Sequence, residues 1–434
     1  MRSFIYSPGQ VLRLAGVRIV RPFRSRDFSL LWAGTTISLL GDGIYFVAIA
    51  WEVYRLSNDP GALSLVGVAW TIPHLGALLV GGAVSDRIER RRVMLIANLV
   101  SGAAIGAIGV LVLTDTVRLW EIWCLVAVYG ASAAFFVPAS SAILPEIIPG
   151  DLLVEANAVQ GFARPLALRL IGPAVGGVLV AGLGAGEAFI ADAASFLMAS
   201  GTLLFVRKRP RQPTAAETAS ASLLQEVYGG FRFVRSQTWL WVSITAAGLW
   251  LFVTVGPIEV LIPFLVKNKL EGSAASLGLV FSAGGVGAVL ASLGMAVYGR
   301  VPRRGLAFVY VVWAGATFAV AALALTVAIW QAMIASMFVF GLPAAGTIAW
   351  QTILQRRVPG DLLGRVSSLD WLSSAGLVPA SFALTGPVAA AYGASRTLFT
   401  AGMLGGTLML ACLLVPAMRA EEATPSLEPA IPLR

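Results

Sequence analysis

The stretch GGAVSDRIERRR, Gly81–Arg92, decides the fold of this chain because it concentrates charged residues between two long apolar runs. A second copy, AVYGRVPRRG at Ala296–Gly305, follows 213 residues later when Ala83 is aligned with Ala296. The alignment also matches the arginines of the two stretches. A short charged loop that occurs twice in equivalent apolar surroundings predicts a duplicated bundle of membrane helices.

Two further motifs repeat at nearly the same spacing. IPGDLL at 148–153 recurs as VPGDLL at 358–363, an offset of 210 residues, and Gly172-Pro173 recurs as Gly386-Pro387, an offset of 214 residues. The motifs keep their order, so the two halves form a parallel repeat, in which both halves run through the same series of elements.

The composition excludes an ordinary soluble domain. The 434 residues are 58% hydrophobic and 12% charged, and the mean hydropathy is +0.83, whereas a soluble domain carries about 25% charged residues. The net charge of +9 does not predict nucleic-acid binding, because the basic residues lie in short loops beside apolar runs. Cys124 and Cys412 both fall inside apolar runs, which predicts neither a disulfide nor a metal site.

Twelve apolar runs approach the roughly 20 helical residues that a bilayer core requires. They must be helical because lipid offers the backbone no hydrogen-bond partner. Six precede the charged segment 207–236 and six follow it, at 28–54, 62–84, 93–113, 119–137, 160–183, 187–206, 239–265, 274–298, 306–325, 329–349, 369–391 and 395–415. The predicted fold class is therefore an all-α membrane protein of two pseudo-symmetric six-helix bundles.

The distribution of basic residues predicts the orientation. Of 31 Lys and Arg residues, 24 lie on the side that contains both termini and 5 on the opposite side, which places both termini in the cytoplasm. The predicted parts are a basic amino-terminal segment, the first bundle, a cytoplasmic linker with an amphipathic helix, the second bundle and a disordered tail, at 1–27, 28–206, 207–236, 237–415 and 416–434.

Asp42 is the sharpest candidate for a functional residue. It lies about 18 Å into the first span by helical rise, on a polar stripe with Ser38 and Tyr45. An ionisable group at that depth should face a bundle interior or a watery cavity. Proton or substrate-cation binding is the functional interpretation, and a hydrogen bond that holds neighbouring helices together is the structural one.

Four of the other charged side chains inside the predicted spans are interpreted as follows. Glu259 in span 7 suits a cavity role or an ion-pair role equally. Arg169 in span 5 suits an anionic group or a structural ion pair. Arg164 precedes Pro165 and is expected to mark the start of that helix. Asp192 in span 6 is expected to serve helix packing.

The motifs resemble those of the major facilitator superfamily. Gly82-x3-Asp86-Arg87-x2-Arg90-Arg91 is similar to its loop 2–3 signature, with Glu89 in place of the second glycine. The resemblance implies a gating role, in which Asp86 interacts with the start of span 11 and the arginines pair with acids such as Glu146, Asp361 or Asp370. Positive-inside topology is the alternative explanation for these charges.

A second resemblance concerns direction of transport. Gly172-Pro173-x2-Gly176-Gly177 is similar to the antiporter motif of exporters in this superfamily, although close helix packing alone would also explain these glycines. The order of FFVPASSAILPEIIPGDLLVEANAV, GPAVGG and FIADAASFLM is similar to the branch of macrolide, multidrug and siderophore exporters. The arginine often found in span 4 of proton-coupled exporters is replaced by Val126.

The sequence therefore predicts a multi-pass transporter of the cytoplasmic membrane that works by alternating access. The resemblance implies export of a small hydrophobic or amphiphilic compound in exchange for protons, by a monomer without cofactor or metal. A proton symporter that imports a nutrient is the alternative within the fold, and a scaffold or lipid-translocating protein is the alternative of another class. An enzyme is not expected, because HExxH, GxSxG and GxxxxGK[ST] do not occur.

Overall fold

The computed structural model describes residues 20–207, 231–299, 301–416 and 418, without the side chains of residues 79, 82, 83, 85–87 and 361. Within these ranges the chain forms fourteen α-helices with both ends described and a helical stretch at 231–236, together with two short 3-10 turns, Arg21–Arg24 and Gly150–Leu152, and one π-helical segment, Leu166–Ile171. In chain order, the helices are α1 Arg26–Leu56, α2 Pro60–Arg87, α3 Arg90–Leu113, α4 Leu119–Ile147, α5 Leu153–Pro165, α6 Gly172–Gly182, α7 Ala185–Phe205, α8 Thr238–Asn268, α9 Ala274–Tyr298, α10 Gly305–Ala324, α11 Ile329–Arg357, α12 Gly360–Gly376, α13 Val378–Tyr392 and α14 Ala394–Cys412.

Eleven helical segments in the described part of the chain are long and apolar enough to cross a membrane. Two of them combine several elements: Gly150–Gly182 contains α5, the π-helical segment and α6, and Leu362–Tyr392 contains most of α12 and all of α13. The remaining predicted span, 395–415, corresponds to α14, which has 19 residues. The helical order is thus consistent with twelve spans.

Two spans begin earlier than the apolar runs predicted. The fifth run was expected from 160 and the eleventh from 369, whereas helix begins at Leu153 and Gly360. Both starts follow the repeated motif, because Pro149 and Pro359 occupy the N-cap position of the turn or helix that begins there. Proline is tolerated at a helix start, where no N–H group is needed. Hydropathy reports only the apolar part of a helix, so the amphipathic first turns were missed.

The position predicted for Arg164 was wrong, because the helix begins well before this residue. Arg164 lies near the carboxyl end of α5, inside the continuous segment Gly150–Gly182, and does not start the helix. Pro165 follows it, and the π-helical segment Leu166–Ile171 comes directly afterwards. The helix thus continues through the proline into the π-helical segment.

The chain divides into two compact units, Met1–Ile49 with Ala69–Gln212, and Ala50–Val68 with Pro213–Arg434. In the first unit α3 packs along both α4 and α7. Its cluster of buried side chains includes Phe28, Leu31, Met94 and Ile143. Glycines bring the helices close together: a Cβ atom on Gly102 would lie 3.0 Å from the Cβ atom of Phe196. Small residues at such crossings replace the hydrophobic driving force that lipid does not supply.

The second unit has its own core and its own glycine contacts. Its buried cluster includes Leu240, Tyr310 and Leu354, and α11 packs against α9, α10 against α14. A Cβ atom on Gly287 would lie 2.1 Å from the carbonyl oxygen of Met337, so the backbones of α9 and α11 are nearly in contact. Each unit is therefore stabilised by the same combination of apolar burial and close backbone packing.

Residues 50–68, which are the adjoining ends of α1 and α2, pack inside the second unit. The Tyr54 hydroxyl donates a 2.7 Å hydrogen bond to the carbonyl oxygen of Val260 on α8. Lys267 donates to the carbonyl oxygen of Tyr54, and its ammonium group lies 5.8 Å from the Trp51 ring. Glu52, near the end of α1, accepts two hydrogen bonds from Arg55 at 2.9 and 2.7 Å. Glu52 is thus occupied by a structural ion pair.

Candidate functional site

Asp42 lies on α1 in the first unit and is partly buried. The hydroxyl group of Tyr129, on α4, donates a 2.7 Å hydrogen bond to Asp42 Oδ1. Ser38 and Tyr45 occupy the same face of α1 and are 7% and 5% exposed. The predicted polar stripe therefore faces the interior of its unit at these three positions, as expected for polar groups in a membrane helix.

A second carboxylate lies against the same turn of α1. Asp192 on α7 is 0% exposed, and Ser195 Oγ donates a 3.3 Å hydrogen bond to its Oδ1. A Cβ atom on Gly41, the residue before Asp42, would lie 2.2 Å from Asp192 Oδ1 and 2.1 Å from Ser195 Oγ. The absence of a side chain at Gly41 therefore lets Asp192 reach the backbone of α1 beside Asp42.

Aromatic rings enclose this pair of carboxylates. Tyr45 makes edge contacts with Tyr129 at a centroid distance of 5.3 Å and packs near Phe189 at 6.1 Å. Tyr129 in turn packs against Phe196 at 6.0 Å. Phe189 and Phe196 are on α7, one on each side of Asp192 in sequence. Apolar walls lower the local dielectric constant, so charge on either carboxylate is poorly screened.

The sequence pattern indicates Asp42, but it does not predict that Asp192 and Tyr129 lie beside it. Asp192 was assigned to helix packing, and Tyr129 was not considered. The signals that would have found them are an acidic residue inside span 6 and a tyrosine inside the apolar span 4. Periodicity ranks residues within one helix, but it does not tell which faces of three different helices meet.

Arginines of the fifth span lie near the same site. The Arg164 guanidinium interacts electrostatically with the Asp42 carboxylate, although the side chain is largely exposed. Arg169 lies in the π-helical segment, and its guanidinium carbon is 5.4 Å from the centroid of the Phe46 ring on α1. π-Helical turns inside α-helices occur frequently at functional sites. Arg169 is therefore held against α1 one turn beyond Asp42.

The antiporter motif is a backbone contact between the fifth span and α1. A Cβ atom on Gly172 would lie 2.7 Å from Gly43 Cα, and one on Gly176 would lie 2.8 Å from Ile44 Cα. Pro173 and Gly177 are buried in the same stretch of α6. The glycines thus press the fifth span onto the turn of α1 that follows Asp42. The motif and Asp42 belong to one packed arrangement.

The loop between α2 and α3 is described in part. The structure does not describe the surroundings of Gly82 or the side chains of Asp86 and Arg87. Their predicted gating role therefore stays a prediction. Arg90 donates hydrogen bonds to the Glu146 carboxylate and, at 2.8 Å, to the carbonyl oxygen of Ala142. Arg91 donates to the carbonyl oxygens of Val206 at 2.7 Å and Leu204 at 3.2 Å. These two arginines fasten the start of α3 to the ends of α4 and α7.

Replacing Arg90 is expected to destabilise the first unit, because Arg90→Gln leaves Glu146 without its cation. The two side chains are 20% and 29% exposed, and a partly buried hydrogen bond to a charged group contributes about 1.5–3 kcal/mol. Thermal denaturation of the purified protein in detergent should show a lower midpoint. Arg92→Gln is the matched control, because Arg92 pairs with Glu89 but is 63% exposed. Equal midpoints for the two variants would contradict the structural role of Arg90.

Glu259 belongs to the second unit, where it lies partly buried on α8 between Pro257 and Pro263. Pro257 has no backbone N–H group and so removes one hydrogen bond of the helix. On the same helix, the Trp250 ring stacks on Trp313 of α10 at a centroid distance of 5.3 Å. The cavity role that the sequence suggests for Glu259 stays a prediction.

The described residues contain no group of three His, Cys, Asp or Glu side chains that could hold a metal ion. In that part of the chain, apolar membrane helices from a duplicated sequence enclose buried carboxylates. This combination defines a polytopic transport protein. The chain belongs to the major facilitator superfamily, in the family described as "Transmembrane secretion effector", whose sequence profile matches residues 18–433.

Three similar proteins are described as exporters or efflux proteins. The multidrug efflux pump Tap of Mycolicibacterium fortuitum is 28% identical over 90% of this chain and 95% of that protein. The enterobactin exporter EntS of Salmonella typhimurium is 28% identical over 79% of this chain and 80% of its own. Macrolide efflux protein A of Streptococcus pyogenes is 21% identical over 90% of this chain and 96% of that protein. The predicted resemblance to this exporter branch is confirmed.

Solved structures support the fold independently of sequence. The nucleoside transporter NupG superposes with a TM-score of 0.70 at 12% identity, over 89% of this chain and 98% of that one. A transporter of the POT family superposes with a TM-score of 0.72 at 11% identity, over 92% and 97%. At such low identity the likeness shows the fold alone. The predicted all-α transporter fold is confirmed, and the family consists of transporters, not enzymes.

Proposed function

We propose that this chain exports a small hydrophobic or amphiphilic compound across the cytoplasmic membrane in exchange for protons, and that Asp42 binds the exchanged proton. The chain works as a monomer with both termini in the cytoplasm, and its two bundles rock to give alternating access. Glu259 is the second candidate for a proton or substrate site. Ser38, Tyr45 and Arg169 shape the surroundings of Asp42.

The hydrogen bond between Tyr129 and Asp42 is the observation that carries this proposal. A hydrogen bond that only joined two helices would not need the carboxylate to be reached by water, whereas a proton site does. Asp42 accepts a hydrogen bond from a neutral phenol, lies beside aromatic rings and is itself partly exposed. A neutral donor can satisfy the carboxylate in the ionised state and can still bond to the protonated one, so Asp42 can gain and lose a proton without losing its partner.

The direction of transport rests on two supports. The relatives named above are efflux pumps and exporters by their descriptions. The antiporter motif at Gly172–Gly177 packs directly on the turn of α1 that follows Asp42. The expected substrate class follows from the same relatives and from the apolar composition of the spans, which favours binding of hydrophobic molecules with few polar groups.

The test is substrate flux in inverted membrane vesicles that contain the full chain. Ethidium and erythromycin serve as probes, and an outward-facing proton gradient is imposed and then collapsed with a protonophore. Accumulation that requires the gradient supports the proposal, with vesicles that lack the chain as the control. Flux that ignores the gradient would overturn proton coupling. Gradient-driven uptake in right-side-out vesicles would instead identify a symporter. An altered lipid distribution without flux of the probes would identify a lipid-translocating protein.

A further inference from the structure

We propose that Asp192 is a second proton-binding residue of this transporter, and that it shares one titrating site with Asp42. The inference deepens the proposed function and rests on it for its role in transport. One part of the inference is that a buried carboxyl group on α7 stays protonated beside Asp42. That part is testable without any transport measurement.

The first support is that Asp192 is buried without a counter-ion among the residues that the structure describes. The side chain is fully buried, and its Oδ2 atom has no hydrogen-bond partner within the described residues. Ser195 Oγ, at 3.3 Å from Oδ1, is a neutral donor on the same helix. An ionised carboxylate taken out of water without a cation costs several kcal/mol. Adding a proton removes that charge, so the protonated form is the one that fits this position.

The second support is the charge on Asp42. Asp192 lies against the backbone of Gly41, and the Asp42 carboxylate acts on it electrostatically. Two carboxylates that share a poorly screened site do not both ionise readily, because each charge opposes the other. The pair is therefore expected to keep one proton while it exchanges a second. Asp42, which is partly exposed, is the member that meets water, and Asp192 is the member that retains its proton.

The third support is the set of groups that face the pair. Helix α1 contributes Asp42 and Tyr45, and α4 contributes Tyr129, which hydrogen-bonds to Asp42. Where α3 packs on α7, it presents neutral positions such as Gly102 and Gly106. Helix α6, which also packs on α7, carries no charged residue. Arg164 is a cation that acts on Asp42, and its positive charge favours ionisation of Asp42 over that of Asp192.

The packing alternative is that Asp192 only ties α7 to α1. That role needs a polar side chain of the right shape, which asparagine supplies. Asp192→Asn should therefore leave thermal stability nearly unchanged under either interpretation. A titratable role additionally requires the carboxyl proton, which asparagine lacks. The decisive readout must report protonation and must not depend on folding or flux.

Infrared spectroscopy of the full chain in lipid provides that readout, because a protonated carboxylic acid has a carbonyl stretch distinct from that of a carboxylate. The native protein should show this band at neutral pH, and Asp192→Asn should lose the intensity of one carboxyl group. Asp42→Asn should change the pH dependence of the Asp192 band, whereas Ser195→Ala should not remove it. A native band that survives unchanged in Asp192→Asn would overturn the inference, as would an Asp192 band indifferent to Asp42→Asn.

A conservative variant covers failure of Asp192→Asn to fold. Asp192→Glu keeps a carboxyl group at the site, so its band should move in frequency and persist; a spectrum identical to that of the native protein would contradict the assignment. The flux assay separates this inference from the proposed function. Gradient-driven export by a chain whose Asp192 is ionised would contradict this inference but not the proposed function. A protonated Asp192 in a chain whose flux ignores the gradient would contradict proton coupling but not the protonation of Asp192.

Discussion

Asp42→Asn is expected to abolish gradient-driven accumulation of substrate in inverted vesicles, while substrate binding remains measurable. A difference of one pH unit stores about 1.4 kcal/mol per proton, so an exchanger of one proton for one neutral substrate accumulates substrate up to about tenfold. Asparagine keeps the shape of Asp42 and can accept the hydrogen bond from Tyr129, but it cannot carry a proton. Accumulation should therefore fall to that of vesicles without the chain.

The matched control for this variant is Asp115→Asn, which makes the same chemical change at an exposed loop position of the first unit. Asp115 has a positive φ of 52°, which asparagine also tolerates, so the control should fold and transport normally. If Asp42→Asn retained a gradient-dependent accumulation equal to that of the control, Asp42 would not be the coupling site. Glu259→Gln would then be the next variant to measure.

Gly176→Val is expected to remove both stability and transport. The Cβ atom alone would lie 2.8 Å from Ile44 Cα and 3.0 Å from the Ile44 carbonyl oxygen. These atoms are backbone, so α1 has to move away from the fifth span and carry Asp42 with it. Overpacking of this kind costs roughly 1–3 kcal/mol. The thermal midpoint should fall, and flux should be lost in any protein that still folds.

Gly182→Val supplies the control for the glycine variant. Gly182 is the last residue of the same helix, and a Cβ atom there would meet no other atom within 4 Å. Valine at this position should leave the midpoint and the flux close to native values. Should Gly176→Val be as stable and active as Gly182→Val, the close approach of α6 to α1 would be refuted as the reason for the motif.

Much of the fold was predictable from the sequence because the bilayer imposes strong and simple constraints. A run of apolar residues such as 93–113 must be a helix of a certain length, and it corresponds to α3, Arg90–Leu113. The predictions were weaker where a helix leaves the apolar run. Leu153 and Gly360 begin helices that hydropathy placed later, because amphipathic turns have no apolar signal of their own.

The site was predictable only one helix at a time. The depth and spacing of Ser38, Asp42 and Tyr45 follow from the rise and period of a helix, and the described part of the chain buries that face. Nothing in the sequence related Asp42 to Asp192, which is 150 positions further along. Their meeting depends on Gly41, whose missing side chain lets Asp192 approach.

The sequence by itself determined the membrane class, the duplicated architecture and the depth of Asp42, because hydropathy, repetition and helical rise are properties of one chain segment at a time. The tertiary structure decided which faces meet. It brought Tyr129 to Asp42, placed Asp192 against Gly41, and turned the glycines of α6 into a backbone contact with α1. Packing between helices depends on the fit of small and large side chains across several segments at once, and a linear pattern does not contain that information.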